Sequence, residues 1–272
     1  MAEIESKTIM TQWEKEEEER EEAQAQLDIW KYVYGFVEMA VVRCAIELGI
    51  AEAIEKHATP ITLSELSSTL KCDPSYLNRI MRFLVRRKIF KITTSTTSDD
   101  SPSYVQSALS RRLLKNGEKS LSPLILLTSS PELVATWHGL RNRVLVDGND
   151  SFKKTHGEDP WHYAAEHPEF NNLVNEAMAC DAKLVVPAVI EGCSEVFDGL
   201  NTLVDVAGGN GTTMRFLAKS CPWIKVITFD LPHVIAAAPK CEGVEYVAGD
   251  MFASVPKADA VFIKVCMGLF FF

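Results

Sequence analysis

Three closely spaced glycines follow an apolar run near the C-terminal end of this 272-residue sequence. The run is Val204-Asp205-Val206-Ala207, and the glycines are Gly208, Gly209 and Gly211. A strand that ends in a glycine loop and continues into a helix lets the backbone approach a ligand closely, because glycine has no side chain. The pattern predicts a cofactor site, although an ordinary tight strand-to-helix turn would produce the same pattern.

An acidic residue about twenty positions beyond the loop favours a nucleoside ligand. Asp230 follows the apolar run 225–229, so it lies at the carboxyl end of the second predicted strand. A carboxylate in this place can accept hydrogen bonds from the two ribose hydroxyls of an adenosine. Asp230 could instead cap the helix that begins near Pro232, and one residue can do both.

The next predicted strand is also followed by candidate ligand groups. Asp250 and Met251 come directly after the apolar run 244–248 and Gly249. Asp250 can bond the exocyclic amine of adenine, while the soft thioether of Met251 suits the flat base. A turn aspartate and a core methionine are the alternatives. Ligand groups at three successive strand ends nevertheless favour one shared site.

The elements that must position these residues alternate between strand and helix. The predicted strands are residues 202–206, 225–229, 244–248 and 258–263, and the predicted helices between them are residues 212–219 and 233–238. Strands that alternate with helices predict a parallel sheet with helices packed on its faces.

The N-terminal half has helical periodicity instead. Apolar residues three and four apart within residues 23–55 predict one or two helices, with Gly49 as a stop. Thr62 and Glu65 form a capping-box pattern for a helix that runs to about Leu70. Further helices are predicted over the stretches 74–88, 109–145 and 161–190, the last broken near Pro168 and Pro187.

A hairpin of residues 89–92 and 104–105 follows the helix over residues 74–88, and this unit resembles a winged helix. Basic residues on that helix offer a face for nucleic-acid phosphates, namely Arg79, Arg82, Arg86, Arg87 and Lys88. The alternative is a solvated face whose charges favour the helix dipole. A net charge of −9 favours this alternative and predicts no nucleic-acid partner.

The composition is that of a folded protein, with 47% hydrophobic and 24% charged residues. Its 7 cysteines have no CxxC spacing, which predicts reduced thiols and no metal site. The polar N-terminus lacks the apolar core of a signal peptide, and no apolar stretch is long enough to span a membrane. We therefore expect a cytoplasmic protein with no membrane partner.

The strand-end motifs together resemble the S-adenosylmethionine site of the plant small-molecule O-methyltransferases, the caffeate and benzylisoquinoline-alkaloid group. The segments that carry the resemblance are residues 203–212, 229–234 and 247–252. In the helical half, that family's dimerisation domain and substrate-lining helix are matched by residues 30–48, 63–66 and 170–181.

The resemblance implies an α/β fold in which an N-terminal helical, winged-helix-like dimerisation domain is followed by a partial Rossmann-like methyltransferase sheet. The expected divisions are a dimerisation domain over residues 1–110, a helical linker and substrate-lining region over 111–198, and a partial cofactor domain over 199–272. A homodimer, or a heterodimer with related subunits, is the expected assembly.

The resemblance also implies site residues. The cofactor contacts would be Gly208, Gly209 and Gly211 at the methionine part, Asp230 at the ribose, Asp250 and Met251 at the adenine, and Lys264 over the cofactor. Met178 would line the acceptor pocket. Ala207 replaces the family's usual first glycine, and we expect a mild effect unless its φ is positive.

The implied chemistry is methyl transfer to the hydroxyl of a phenolic or alkaloid small molecule, with a histidine as general base. The family takes this histidine from a Trp-x-x-His-Asp-Trp stretch that follows the lysine matched by Lys264, and here Gly268 stands in its place. None of the 6 histidines is an evident substitute. We therefore expect a C-terminally truncated, inactive chain without a catalytic residue. The alternatives are a noncatalytic dimer partner of full-length subunits and, less favoured, a winged-helix nucleic-acid binder.

Overall fold

The computed structural model describes residues 12–94, 102–145 and 151–264. Its α-helices are α1 (Gln12–Val33), α2 (Gly35–Leu48), α3 (Ile50–Lys56), α4 (Leu63–Leu70), α5 (Pro74–Arg86), α6 (Ser122–Thr128), α7 (Pro131–His138), α8 (Leu140–Leu145), α9 (Ser151–His156), α10 (Pro160–Glu166), α11 (Pro168–Gly192), α12 (Thr212–Ser220) and α13 (Pro232–Ala237). Its strands are β1 (Ile61–Thr62), β2 (Phe90–Thr94), β3 (Pro102–Gln106), β4 (Thr202–Val206), β5 (Lys225–Asp230), β6 (Val244–Ala248) and β7 (Ala260–Phe262). Gly268, which stands where the related family has its histidine, lies outside the described residues.

The first helix begins at Gln12, well before the predicted start at residue 23. Its sequence is rich in Glu, Gln, Lys and Ala, which favour helix without an apolar stripe. The predicted stop at Gly49 is confirmed, because this residue has a φ of 72° and its amide bonds to the last carbonyls of α2. Helix α3 follows directly.

A capping box starts α4, as predicted. The Thr62 hydroxyl accepts a hydrogen bond from the Glu65 amide at 3.3 Å, and Glu65 Oε2 accepts one from the Thr62 amide at 2.8 Å. Thr62 also belongs to β1, which pairs with β3 in a small antiparallel sheet of order β1-β3-β2. This sheet and α2 to α5 bury a common apolar core, which includes Ile46, Leu66, Met81 and Phe90.

Part of the basic face of α5 contacts other residues of the chain. The Arg87 guanidinium lies 3.1 Å from the Glu38 carboxylate on α2 and 5.5 Å from the centre of the Phe83 ring. The Arg79 guanidinium lies 5.7 Å from the centre of the Tyr76 ring. Arg79 and Arg87 of this face therefore contact other residues of the fold.

One prediction for the central helices is wrong, and one short helix was missed. Helix α11 continues through Pro187 to Gly192, whereas a break near Pro187 was predicted. Proline removes one backbone hydrogen bond, but α11 packs against both α6 and α12, and this burial outweighs the loss. Helix α9 lies between the predicted helical stretches and was not predicted.

The parallel sheet has the order β6-β5-β4-β7, so β4 is flanked by β5 and β7. Its strands are close to the predicted ones, and β4 and β6 have the predicted bounds. The chain moves outward from β4 to β6 and then crosses to the other side of β4. This reversal of direction creates a crevice at the carboxyl end of β4, the usual ligand position in such sheets. The predicted α/β fold is confirmed.

No helix among the described residues combines the length and apolar character needed to cross a membrane. Within the same residues no cluster of His, Cys, Asp and Glu side chains is arranged to hold a metal ion.

Candidate functional site

The loop after β4 is a compact turn with left-handed backbone at three positions. Ala207, Gly209 and Gly211 have φ values of 57°, 59° and 79°. The Gly208 amide donates a hydrogen bond to the carbonyl of Phe229 on β5 at 3.2 Å, which ties the loop to the next strand. A Cβ atom on Gly208 would lie 2.9 Å from the Asp205 carboxyl carbon, so only glycine fits there without a shift.

Asp230 connects this loop to the end of β5. Its Oδ2 atom accepts a hydrogen bond from the Gly209 amide at 2.7 Å, and Oδ1 accepts one from the Leu231 amide at 2.7 Å. Burial raises the pKa of Asp230, while the two amides and His233 act in the opposite direction. Helix α13 has Leu231 as its N-cap residue, so capping of this helix does not by itself explain the position of Asp230.

Asp250 and Met251 lie at the end of β6. Asp250 is exposed and accepts a hydrogen bond from the Phe252 amide at 2.9 Å, which is the geometry of a turn aspartate. Met251 packs against the apolar cluster of Val204, Val206, Ile227 and Phe229, as a core methionine would. Both residues also line a cleft, so a turn aspartate and a core methionine at these positions can still face a ligand.

The cleft has two adjoining parts. We name the first the glycine lobe, and its lining includes Phe170, Asn171, Val174, Asn175, Met178, Asp205, Gly208, Gly209, Thr213 and Lys264. We name the second the adenosine lobe because of the predicted ligand, and its lining includes Asp159, His162, Phe229, Leu231, Gly249, Asp250, Met251 and Phe252. Both lobes are lined by Trp161, Ala207, Asp230 and His233. The structure therefore brings most of the predicted site residues to one cleft.

Gly211 lines neither lobe. It is buried against the Tyr246 ring and the Thr228 hydroxyl, where an added Cβ would lie 2.9 Å and 3.1 Å from them. Its place in the structure is at the turn into α12, which begins at Thr212.

Lys264 reaches the cleft from the residues after β7. Its ammonium group lies 2.5 Å from the Asp181 carboxylate of α11, and both side chains are largely buried. Met178 is on the same helix, one turn before Asp181. The charged contact therefore joins the predicted acceptor helix to the sheet at the glycine lobe.

No catalytic or binding role is predicted from the sequence for Asp181, Asp205 and His233, although Asp205 and His233 line the cleft. Asp205 is 2% exposed, and burial raises its pKa to about 7. The Nε2 atom of His233 is buried without a hydrogen-bond partner among the described residues. A signal for Asp205 was present, since an acidic residue inside an apolar run is rare.

Replacing Ala207 with glycine should raise the free energy of unfolding by about 0.5 to 1 kcal/mol, because the left-handed backbone strains a residue with a Cβ atom. Because the φ of Ala207 is 57°, the effect of having alanine here is expected to be more than mild. Chemical denaturation measures the change. Ala218→Gly, in the interior of α12, is the control and should lower stability by about 1 kcal/mol. Loss of stability in both variants would contradict the strain at residue 207.

Comparison with known proteins places this chain in a family. Residues 137–268 match the O-methyltransferase domain, and residues 30–116 match the O-methyltransferase dimerisation domain. The chain is 50% identical over 250 residues to acetylserotonin O-methyltransferase of Arabidopsis thaliana, a match that covers 89% of this chain and 65% of that protein. It is 41% identical over 243 residues to (RS)-norcoclaurine 6-O-methyltransferase of Coptis japonica, covering 88% and 69%.

The solved structure of human N-acetylserotonin methyltransferase in complex with S-adenosylmethionine matches with a TM-score of 0.78 and 19% identity, covering 88% of this chain and 70% of that one. At this identity the match supports the fold alone. The chain spans 65% and 69% of the two curated relatives, so about two thirds of their length. From the family matches and these identities, the chain belongs to the O-methyltransferase family.

Proposed function

We propose that the cleft binds S-adenosylmethionine and that the site belongs to an enzyme that methylates a hydroxyl group of a phenolic or alkaloid small molecule. The observation that carries this proposal is the position of Asp230, whose carboxylate lies at the carboxyl end of β5 and is fixed by the glycine-loop amide at 2.7 Å. A carboxylate held in this way is positioned to accept hydrogen bonds from ribose hydroxyls.

The adenosine part fits the adenosine lobe. Asp230 would hold the ribose, Asp250 would accept a hydrogen bond from the adenine amine, and Met251 would pack on the base. Met251 is partly buried against the core, so its side chain is restrained before a ligand enters. Gly249 keeps the Phe229 ring close to this lobe, since an added Cβ would lie 2.5 Å from the ring.

The methionine part fits the glycine lobe. Gly208 and Gly209 present backbone without side chains, and the Lys264 ammonium can offset the charge of a carboxylate. Gly211 would support the cofactor indirectly, by allowing the turn that places these two glycines. These features meet the requirements of a ligand with an adenosine end and an amino-acid end.

The acceptor would occupy the part of the glycine lobe that α11 lines. Phe170, Val174 and Met178 supply apolar surface, and the Asn175 amide donates a hydrogen bond to Asn171 Oδ1 at 3.2 Å. Apolar walls with a few fixed polar groups suit a flat aromatic molecule with a hydroxyl group. Acetylserotonin and norcoclaurine, which the names of the two relatives specify, illustrate the class.

S-adenosylmethionine, when bound, supplies an electrophilic methyl group on its sulfonium sulfur. The acceptor hydroxyl must lose its proton, and a positioned base typically contributes about 10² to 10⁴ in rate. The glycine at position 268, where the family has its histidine, lies outside the described residues, and its consequence stays a prediction. On that prediction, a chain with glycine at position 268 does not transfer the methyl group.

Calorimetric titration with S-adenosylmethionine, followed by a radiolabelled methyl assay with catechols and phenolic alkaloids, tests both parts. We expect saturable binding and no incorporation of label. Absence of binding to a folded sample would contradict the cofactor site. Incorporation of label with any acceptor would contradict the predicted inactivity and would leave the cofactor site standing.

We also propose a second function, as a noncatalytic partner in a homodimer or a heterodimer with related subunits. The observation that favours it is a row of exposed apolar side chains on α1, α2 and the residue between them, formed by Leu27, Trp30, Val33, Tyr34, Phe36 and Met39. Trp30 and Tyr34 stack with ring centres 5.6 Å apart. Exposed apolar patches of this kind mark interaction surfaces.

Light scattering and co-purification with a tagged relative test the partner function. We expect a dimer, and Phe36→Glu should shift it toward the monomer, because a charge would be buried in the interface. Tyr76→Glu is the matched control, since Tyr76 is 68% exposed on α5, compared with 72% for Phe36 on α2. A monomeric wild-type chain that captures no relative would contradict this proposal.

A further inference from the structure

The N-terminal half of α1 is strongly acidic and has no role in the functions proposed above. Residues 14–22 consist of seven glutamates, one lysine and one arginine. Every residue from 13 to 27 is exposed. Glutamates one turn apart, such as Glu18 and Glu22, repel each other and weaken an isolated helix. A positively charged surface against this half of the helix would remove the repulsion.

The basic face of α5 offers such a surface. Helix α5 contains three arginines, Arg79, Arg82 and Arg86, and no acidic residue. All three arginines are exposed, and their intervals of three and four residues place them on one side of the helix. The interval of four between Glu18 and Glu22 on α1 is the same as that between Arg82 and Arg86. The two faces therefore carry opposite charges with a matching repeat.

Both charged helices reach the same row of exposed apolar side chains, the one proposed above as the dimer interface. The acidic half of α1 precedes this row in the same helix. The C-terminal end of α5 lies beside the row, because the Arg87 guanidinium is 3.1 Å from the carboxylate of Glu38, between Phe36 and Met39 in sequence. From the row, the acidic half and α5 each extend about 20 Å, since a helix rises about 1.5 Å per residue.

We propose that the acidic half of α1 docks on the basic face of α5 of a second copy of this chain. The inference rests on the proposed homodimer and adds a charged contact on each side of its apolar row. A two-fold pair makes the contact twice, because each copy contributes one acidic helix and one basic face. The family's dimerisation domain matches residues 30–116, so the acidic half of α1 lies outside that match.

Charge reversal at exposed positions tests the contact. The α5 variant combines Arg82→Glu with Arg86→Glu, and the α1 variant combines Glu18→Lys with Glu22→Lys. Each variant alone should raise the dissociation constant of the homodimer by about tenfold or more, because attraction becomes repulsion at both contacts. An equimolar mixture of the two variants should form mixed dimers with nearly wild-type affinity, since each reversed helix then meets the opposite charge. Sedimentation velocity, with one variant tagged, measures these constants.

Salt provides a second readout that a merely structural effect would not reproduce. Raising sodium chloride from about 0.1 M to about 1 M shortens the Debye length from about 10 Å to about 3 Å. The wild-type homodimer should weaken over this range. The homodimer of the α5 variant should instead become tighter, because screening reduces the repulsion between its acidic helices.

Lys219→Glu combined with Lys257→Glu is the matched control. Both lysines are exposed and lie outside α1 and α5, and the change in net charge equals that of the α5 variant. We expect this control to dimerise as wild type does. Mixed with the α1 variant, it should not restore wild-type affinity, which separates local pairing from a general effect of net charge.

Reversal variants that dimerise as tightly as wild type, or a mixture that restores no affinity, would overturn the docking and leave the proposed homodimer intact. A wild-type chain that stays monomeric would overturn the homodimer and the docking together. A net charge of −9 favours a protein over nucleic acid on the basic face. Binding of duplex DNA at low salt by wild type, and not by the α5 variant, would assign the face to nucleic acid and overturn the docking.

Discussion

Replacing Asp230 with alanine is expected to raise the dissociation constant for S-adenosylmethionine by about tenfold to a hundredfold, the usual effect of losing hydrogen bonds to a charged group. The side chain would lose its proposed bonds to the ribose, and the glycine loop would lose the acceptor that holds the Gly209 amide at 2.7 Å. The first loss acts on the bound state, and the second lets the loop leave the shape that the cofactor needs before binding. Calorimetric titration measures the change.

Asp259→Ala is the matched control for this experiment. Asp259 also accepts two backbone hydrogen bonds, from the amides of Asn201 at 2.8 Å and Thr202 at 2.9 Å, but it lies at the amino end of β4. The two variants lose the same number of backbone contacts, so a general loss of stability would weaken binding in both. We expect weaker binding only in Asp230→Ala. Equal dissociation constants for Asp230→Ala and wild type would remove Asp230 from the cofactor site.

Replacing Gly211 with alanine is expected to lower the free energy of unfolding by about 2 to 4 kcal/mol, from backbone strain and overpacking together. The φ of 79° is unfavourable for any residue with a Cβ atom. The new methyl group would also lie 2.9 Å from the Tyr246 ring. This ring cannot easily retreat, because its hydroxyl donates to the Pro239 carbonyl at 3.0 Å and the Lys240 ammonium lies 4.2 Å from its centre.

Gly199→Ala separates the two causes. Gly199 has a φ of 75° and no atom within 4 Å of an added Cβ, so this variant carries the backbone strain alone. Chemical denaturation should show a loss of about 1 kcal/mol for Gly199→Ala and a clearly larger loss for Gly211→Ala. Equal losses would mean that the contact with Tyr246 contributes nothing.

The sheet was predictable because its strands are short apolar runs that end in turns. Residues 202–206 have the predicted bounds, since burial on both faces makes a central strand of a parallel sheet mostly apolar. Residues 244–248 also have the predicted bounds, although they form an edge strand without a buried residue and include Glu245. The two-residue strand β1 was missed, because two residues carry no periodicity. The break predicted at Pro187 was wrong, because packing of α11 on two neighbours outweighs the local preference of proline.

The candidate site was predictable where its residues follow strands in sequence. Asp230, Asp250 and Met251 each come at a strand end, and the cleft collects all three. The contact between Lys264 and Asp181 was not predictable, because these residues are 83 positions apart and only the fold brings them together. The electrostatic state of Asp205 likewise depends on burial and on neighbours from other elements.

The unbroken course of α11 has a mechanical consequence. This helix packs on α6, which contacts α2, and through α12 it also packs on the sheet. Arg43 of α2 strengthens the first connection by donating a hydrogen bond to the Leu126 carbonyl at 2.9 Å. A continuous helix that packs against neighbours near both ends can transmit a displacement from one end to the other. We therefore expect that a shift of α2 on association with another subunit would tilt the wall of the glycine lobe, which would couple assembly to ligand affinity.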